Sequence, residues 1–184
     1  MTSIDIPGYR PGTYVLDPAH SEVTFSVRHM MISKVRGTFG VKSATLTAPE
    51  NPLETTVEAS VDVTSVDTKD EGRDQHLRSA EFFDTENFPT MDFVSTGARA
   101  EKGELFVDGD LTIRGITKPV TFEVDFGGFG SDPWGNYKAG ASAKAVINRE
   151  DFGLTWNAAL ETGGVLVGKD VTINLDLQAA LQQD

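Results

Sequence analysis

The densest group of side chains able to do chemistry lies at positions 70–84 of this 184-residue chain, in the sequence DEGRDQHLRSAEFFD. Arg73, His76 and Arg78 form a local cluster of hydrogen-bond donors there. Guanidinium groups bind carboxylates and phosphates through paired hydrogen bonds, and an imidazole titrates near neutral pH. The cluster could therefore hold an anionic or polar head group. The alternative chemistry is general acid–base catalysis by His76, with Arg73 or Arg78 stabilising an anion.

A structural role is also open for the same cluster. Asp74 and Arg78 are four residues apart, a spacing at which side chains pair along one face of a helix, and His76 would then brace the segment. Asp74 lies only two residues from His76, on a different helical face, so it is not placed to orient the imidazole. The residues leave both interpretations open.

A short helix must position the cluster. Asp70 is a suitable N-cap, and Asp74 places negative charge near the first turn, where it stabilises the helix dipole. Pro89 prevents a helix from continuing past the residue before it. One or two helical turns are therefore predicted, followed by the bulky apolar pair Phe82 and Phe83.

The rest of the chain alternates between apolar and polar residues with the period of two that is typical of half-buried strands. In the clearest case Val23, Phe25 and Val27 alternate with polar residues. The predicted strands lie at 14–16, 22–28, 34–47, 55–64, 91–95, 104–113, 120–126, 138–147 and 171–177. Because no long helices alternate with these strands, the pattern excludes a parallel sheet and predicts an all-β protein of about eight strands.

Three segments interrupt the alternation. Four large side chains in a row at 29–32 predict a loop or bulge with an apolar tip. Glu101, Lys102 and Gly103 predict a hairpin turn, and the glycine-rich stretch 127–135 predicts a loop. These breaks separate the predicted strands.

An antiparallel sheet of about eight strands can close into a barrel, which is either filled by side chains or holds one small ligand. Residues 139–145 carry alanine at every second position. If these alanines face inward, their strand fills little interior volume, and close packing then implies that a ligand occupies the space. The alternative is that Trp134 or Trp156 packs onto the alanines.

The composition excludes several classes of function. The formal charge is −12, from 16 Lys and Arg against 28 Asp and Glu, so the average surface repels nucleic acid and anionic membranes. With no cysteine in the sequence, disulfides, thiolate nucleophiles and cysteine zinc sites are excluded. His20, His29 and His76 lie far apart, so no metal site is expected. The sequence contains no GxSxG motif, so it does not predict a serine nucleophile.

The sequence also predicts no integral membrane segment, because no apolar run approaches about 18 residues. The first ten residues have neither the basic start nor the apolar run of a signal peptide, so export is not signalled.

A series of short motifs runs from Tyr14 towards the C-terminus. They are YxLDPxHS at 14–21, FxVxH at 25–29, GxF at 37–39, SVDT at 65–68, RDxHLRSAEFF at 73–83, FP at 88–89, GxLTIxGxTKPV at 109–120 and DPWG at 132–135. In this order they resemble the YceI-like family of lipocalin-like lipid-binding proteins.

The resemblance implies an extended antiparallel eight-stranded lipocalin-like barrel with a short helical insert. Pro7, Gly8, Pro11 and Gly12 predict an irregular arm at 1–13, and the length of the chain predicts one domain, the barrel at 14–184. The resemblance also implies a long apolar tunnel for polyisoprenoids or similar amphiphiles, and frequent homodimers. It implies no settled reaction and no cofactor. Many members of the family carry a secretory signal, whereas the start of this chain indicates a cytoplasmic protein.

The leading hypothesis is therefore a non-catalytic protein that sequesters or carries an isoprenoid or other amphiphilic lipid. The alternative is an enzyme that acts on a lipidic or small apolar substrate inside the barrel. The residues expected to contact the ligand are His29, Phe39, Arg73, His76, Leu77, Arg78, Phe82, Phe83, Ala141, Ala143 and Trp156.

Overall fold

The computed structural model describes residues 4–30, 32–157 and 166–183. Within these ranges the chain forms nine β-strands and one α-helix, with short 3-10 turns between some of them. The helix α1 spans Glu71–Arg78. The strands are β1 Gly12–Leu16, β2 Glu22–His29, β3 Ser33–Ala48, β4 Thr56–Asp67, β5 Thr90–Glu101, β6 Glu104–Ile113, β7 Ile116–Ser131, β8 Tyr137–Asn148 and β9 Val167–Leu181.

The strands close into an antiparallel barrel with eight positions around its wall. From β2 to β9 each strand pairs with the next in sequence, and β9 pairs back with β2. The short strand β1 lies between β3 and β9, in line with β2, and occupies the same wall position further along the barrel. Closure satisfies the hydrogen-bonding groups that an open sheet would expose at its edges. The predicted eight-stranded barrel is confirmed.

The predicted alternation places every second side chain inside the barrel. In the β2–β3 pair, Val23 lies opposite Phe39 and Phe25 lies opposite Gly37. A side-chain carbon built on Gly37 would lie 2.4 Å from the Phe25 ring, so glycine is needed for this close approach. Val23 and Phe39 are each 7% exposed. The apolar face of the pattern therefore became the interior.

One predicted interruption is wrong in its extent. The stretch 127–135 is not all loop, because β7 continues to Ser131 with a shift of register between Phe126 and Gly128. The true turn is short and is held by Asp132, which accepts hydrogen bonds from the backbone N–H groups of Trp134 and Asn136. The glycines here make a bulge in a continuous strand.

The two ends of the barrel differ in what covers them. At the mouth end, as we name it, lie the turn between β2 and β3, helix α1 and the connection between β8 and β9, where Met30 N donates to Leu166 O at 2.7 Å. At the opposite end, the arm end, Tyr9 donates to Pro49 O at 2.5 Å and Tyr137 donates to Gly8 O. The N-terminal arm is thus bound to the barrel.

The buried apolar side chains line the wall in three clusters instead of filling one centre. Two clusters lie towards the mouth end, around Phe152 and around Val63, each of which is 1% exposed. The third lies at the arm end around Tyr14, which is 2% exposed. This distribution leaves room along the barrel axis.

Candidate functional site

Two adjoining cavities lie inside the barrel. The mouth cavity has a volume of about 500 Å³ and is lined by residues of α1, β2, β3 and the β8–β9 connection. The inner cavity has a volume of about 270 Å³ and extends towards the arm end. Val23, Met91 and Ile173 line both cavities. The two spaces therefore meet in the middle of the barrel.

Helix α1 is fixed over the mouth by its N-terminal cap and by one buried carboxylate. The Asp70 side chain accepts a hydrogen bond from Arg73 N at 3.1 Å, which confirms the predicted cap. Asp74 is 7% exposed and accepts hydrogen bonds from Thr68 N at 2.9 Å and Thr68 Oγ1 at 2.5 Å. A carboxylate removed from water needs such donors. These bonds join the helix to the end of β4.

The predicted ion pair between Asp74 and Arg78 is wrong. Arg78 turns towards β4, where it donates to Thr64 O at 3.0 Å and Val66 O at 3.2 Å. The buried Asp74 carboxylate accepts its hydrogen bonds from Thr68, and Arg78 bonds to β4 instead. Arg78 is not among the residues that line either cavity. Its contacts are structural.

Arg73 both braces the helix and faces the mouth cavity. Its guanidinium donates from Nε to Thr68 Oγ1 and from Nη2 to Thr68 O, both at 2.8 Å. The side chain also lines the mouth cavity. Because a guanidinium has five N–H groups, these two bonds leave others for a ligand.

His76 lies in an aromatic setting with a carboxylate partner. Its Nε2 is 2.5 Å from Glu81 Oε2, and its ring meets those of Phe82 and Trp156 edge to face, with centroids 5.0 and 4.6 Å apart. Glu81 was missed in the sequence because only helical spacings were considered. The chain leaves the helix after Arg78 and folds back, which brings Glu81 to the imidazole.

The remaining predicted contacts also fall on the two cavities. Phe83 meets Phe39 edge to face with ring centroids 5.7 Å apart, and Phe82 lies 5.4 Å from Trp156. The predicted residues that line the mouth cavity are His29, Phe39, Arg73, His76, Leu77, Phe82, Phe83 and Trp156. The predicted residues that line the inner cavity are Ala141 and Ala143.

The alanines of β8 face the space that their small size leaves. Ala139, Ala141 and Ala143 line the inner cavity, whereas Ala145 is packed in the wall. Trp134 is 83% exposed and Trp156 packs against His76. Neither tryptophan fills the space beside the alanines, so the alternative to a cavity is not realised.

Arg149 is a mouth residue that sequence reasoning missed. It is 3% exposed, and burial lowers the pKa of its guanidinium. Its four hydrogen bonds go to the backbone oxygens of Leu154 at 2.5 Å, Trp156 at 3.0 Å, Val167 at 3.2 Å and Gly168 at 2.7 Å. The arginine thereby fixes both sides of the β8–β9 connection. The feature of the sequence nearest to Arg149 that could indicate a turn is Gly153. In the structure this glycine ends the 3-10 turn Arg149–Phe152 with a φ of 77°.

The N-terminal arm contributes residues that were not expected to reach the site. Ile4 and Ile6 are half-buried and line the inner cavity, whereas Asp5 and Pro7 between and after them are exposed. Tyr9 lines the same cavity. The arm therefore covers the end of the cavity remote from the mouth.

The charged groups that line the mouth cavity are mainly cationic. Arg28, Arg73 and Arg149 lie on its wall. Among the described lining residues, Asp70 is the one that carries a carboxylate. Across the described ranges, no group of three or more His, Asp or Glu side chains is placed to hold a metal ion. None of the helices in those ranges has the length and apolar character needed to cross a membrane.

Known proteins are similar to this chain in sequence and in fold. A family model described as a YceI-like domain matches residues 14–179. A UPF0312 protein of Staphylococcus aureus (strain MSSA476) is 38% identical over 172 residues, which cover 92% of this chain and 98% of that protein. The Campylobacter jejuni YceI protein has a TM-score of 0.68 at 26% identity and covers 85% of this chain and 90% of its own.

Two structures with lower sequence identity to this chain show the same barrel. Burkholderia cenocepacia BcnA has a TM-score of 0.75 at 23% identity, covering 89% of this chain and 98% of its own. A polyisoprenoid binding domain from Saccharophagus degradans has a TM-score of 0.70 at 12% identity, covering 94% of this chain and 100% of its own. At these identities the likeness shows the fold. Since the family model and the staphylococcal relative each span most of the sequence, this chain belongs to the YceI-like domain family.

Proposed function

We propose that the protein binds an isoprenoid or similar amphiphilic lipid inside the barrel and sequesters or carries it. The observation that carries the proposal is the pair of adjoining cavities, with cations at the mouth and an apolar interior. The mouth cavity alone falls within the range of about 300–1,000 Å³ that is typical of ligand pockets. The Saccharophagus degradans neighbour is described as polyisoprenoid-binding, which supports this class of ligand.

The interior favours a long apolar chain. The lining of the inner cavity is aliphatic and aromatic, apart from Thr55, Asp92 and the hydroxyls of two tyrosines. Transfer of apolar surface from water is worth roughly 25 cal/mol per Å², so a buried chain needs few polar contacts. Three alanines widen the space along β8. We infer that the chain enters between α1 and β2 and extends towards the arm.

The mouth favours an anionic or polar head group. Arg73 and Arg28 line the mouth cavity, and Arg73 has N–H groups beyond those that it donates to Thr68. His76 offers a further polar atom beside the apolar rings of Phe82 and Trp156. A head group held here leaves its tail directed to the inner cavity.

Native mass spectrometry tests the proposal directly. The protein is purified without detergent, measured intact, then denatured and extracted for lipid. We expect co-purified lipid, or uptake of an added isoprenoid by protein that was first stripped of lipid. A preparation that carries no lipid and takes up no isoprenoid chain of any length would refute the proposal.

A catalytic role is the second candidate, and one contact favours it. The imidazole of His76 lies 2.5 Å from the Glu81 carboxylate, so it has the second titratable group that a general acid or base uses for orientation. The reaction would act on a lipidic or small apolar substrate in the mouth cavity. If His76→Ala abolishes substrate consumption and leaves lipid binding intact, the catalytic role replaces the carrier role.

The homodimer and the cytoplasmic location stay predictions. Light scattering after size-exclusion chromatography checks the first, since a monomer mass at all concentrations contradicts it. Fractionation of cells that express the full-length protein checks the second.

A further inference from the structure

The hairpin formed by β2 and β3 has a charge opposite to that of the whole chain. Residues 23–49 contain no Asp or Glu and four basic residues, Arg28, Lys34, Arg36 and Lys42. This segment therefore carries +4, whereas the chain as a whole carries −12. A continuous stretch of this kind forms a local cationic surface on an anionic protein.

The strand pairing gathers three of these charges near the tip of the hairpin. Arg28 lies opposite Lys34, and Arg36 lies opposite Ser26. Val35, which lies between Lys34 and Arg36, lines the mouth cavity, so the alternation directs these two basic side chains outward, whereas Arg28 lies at the rim and also lines the cavity. All three are exposed, and none forms an ion pair with another described residue.

The tip itself is apolar and lies at the rim of the mouth. Ile32 is 82% exposed and Met30 is 44% exposed. The backbone N–H of Met30 donates to Leu166 O at 2.7 Å, and Leu166 and His29 both line the mouth cavity. Exposed apolar residues beside the entrance thus stand next to a cationic surface.

We propose that this hairpin docks the mouth end onto an anionic lipid bilayer. Ile32 and Met30 enter the interfacial layer, while Arg28, Lys34 and Arg36 lie beside the lipid phosphates. Apolar side chains flanked by basic residues are the combination that binds membrane surfaces. Docking places the mouth cavity against the bilayer, so a lipid can pass between the two without crossing water. That transfer step rests on the proposed function, whereas docking does not.

The net charge of the protein is compatible with this contact. At physiological ionic strength the Debye length is about 8 Å, so a bilayer responds to the nearest charges and not to their total. The acidic remainder of the surface is repelled. The same repulsion turns the hairpin towards the membrane and keeps the arm end away.

Vesicle flotation tests the docking with the full chain. The protein is mixed with vesicles of phosphatidylcholine plus phosphatidylglycerol, or of phosphatidylcholine alone. The test variants are Ile32→Ser and the double variant Lys34→Gln/Arg36→Gln. The matched controls are Trp134→Ser, an exposed apolar residue at the arm end, and Lys102→Gln, a basic residue in the turn between β5 and β6.

We expect binding to the anionic vesicles only, weakened by added salt. Each basic residue near the surface contributes roughly fivefold to partitioning, so the double variant should bind about 25-fold more weakly. Ile32→Ser should also weaken binding, and both controls should bind like the wild type.

Equal binding to neutral vesicles, or no binding to anionic ones, would overturn the docking proposal. So would loss of binding in Trp134→Ser but not in the hairpin variants. A dimer that dissociates when Ile32 is replaced would assign the tip to a contact between copies of this chain. Uptake of an isoprenoid from solution separates the two proposals: it should be unchanged in the hairpin variants, and it fails in all variants if the proposed function is wrong.

Discussion

Single side chains at the mouth divide into those that hold α1 in place and those that face the cavity. Asp74 is buried and accepts two hydrogen bonds from Thr68, whereas Arg78 donates to two carbonyl groups of β4. Arg73 belongs to both groups. His76 faces the cavity and is oriented by Glu81.

Asp74→Ala should lower the free energy of unfolding by about 1–3 kcal/mol, because it leaves buried donors of Thr68 without an acceptor. Urea denaturation monitored by circular dichroism measures the loss. Glu71→Ala, an exposed acidic residue in the same helix, is the matched control and should change little. Equal losses in the two variants would contradict a specific role for the buried carboxylate.

Replacing the mouth residues should separate head-group binding from bracing. His76→Ala and Arg73→Ala should weaken the binding of a charged-head isoprenoid more than that of its uncharged analogue, because they remove groups that face the head. Arg73→Ala should also lower the melting temperature, since it loses two bonds to Thr68. Titration calorimetry with both ligands gives the comparison.

Arg78→Ala is the control for that comparison, because Arg78 lies outside both linings. It should lower the melting temperature modestly and leave the affinity for both ligands unchanged. If all three variants weaken the charged and uncharged ligands equally, the cluster only braces the mouth.

Strand β8 sets the width of the inner cavity, and the N-terminal arm covers its far end. The alanines leave space along one wall, and Ile4 and Ile6 reach into the opposite opening. Under the proposed function, β8 and the arm would contact the tail of the ligand, whereas α1 and the β8–β9 connection would contact its head group.

Ala143→Phe should block uptake of an isoprenoid while the barrel stays folded, because the new ring occupies the inner cavity. Overpacking typically costs about 1–3 kcal/mol, so folding is checked by circular dichroism beside a fluorescence uptake assay. Lys144→Gln changes the neighbouring exposed residue of the strand and should bind normally. Undiminished uptake by folded Ala143→Phe would show that the ligand does not reach this strand.

The double variant Ile4→Ser/Ile6→Ser should extend the range of chain lengths that bind. Serine in place of isoleucine loses the apolar contact that holds the arm against the cavity, so the far end opens. Competition between isoprenoids of increasing length measures the change, and Asp5→Ser is the exposed control. An unaltered length preference would mean that the arm does not limit the tunnel.

For the whole molecule, two electrostatic effects of salt should run in opposite directions. The chain carries a formal charge of −12, and self-repulsion of like charges opposes the compact state. Added salt screens this repulsion. The melting temperature should therefore rise with ionic strength while vesicle binding falls. Scanning calorimetry in two salts with different anions checks the first effect, and a melting temperature that falls in both would contradict it.

Local patterns in the sequence are enough to predict most elements of the barrel. Alternation of Val23, Phe25 and Val27 with polar residues predicted a strand whose apolar face turned inward, because side chains point to opposite faces of a strand in turn. Asp70 predicted the start of the helix from a cap that involves only its neighbours. The alanines of β8 predicted the cavity, since their small size is visible without any partner.

Other contacts of the site are visible only in the folded chain. Asp74 accepts hydrogen bonds from Thr68 and forms no ion pair with Arg78. Glu81 contacts His76, and Arg149 donates to four backbone carbonyls. Ile4 reached the inner cavity from the N-terminus. Thr68 and Glu81 lie six and five residues from their partners, at spacings set by the turns on either side of α1. Gly168 lies 19 residues from Arg149 and meets it because β9 returns beside β8. Periodic patterns encode a strand or a helix locally, whereas the partners of a buried charge depend on which strands close beside it.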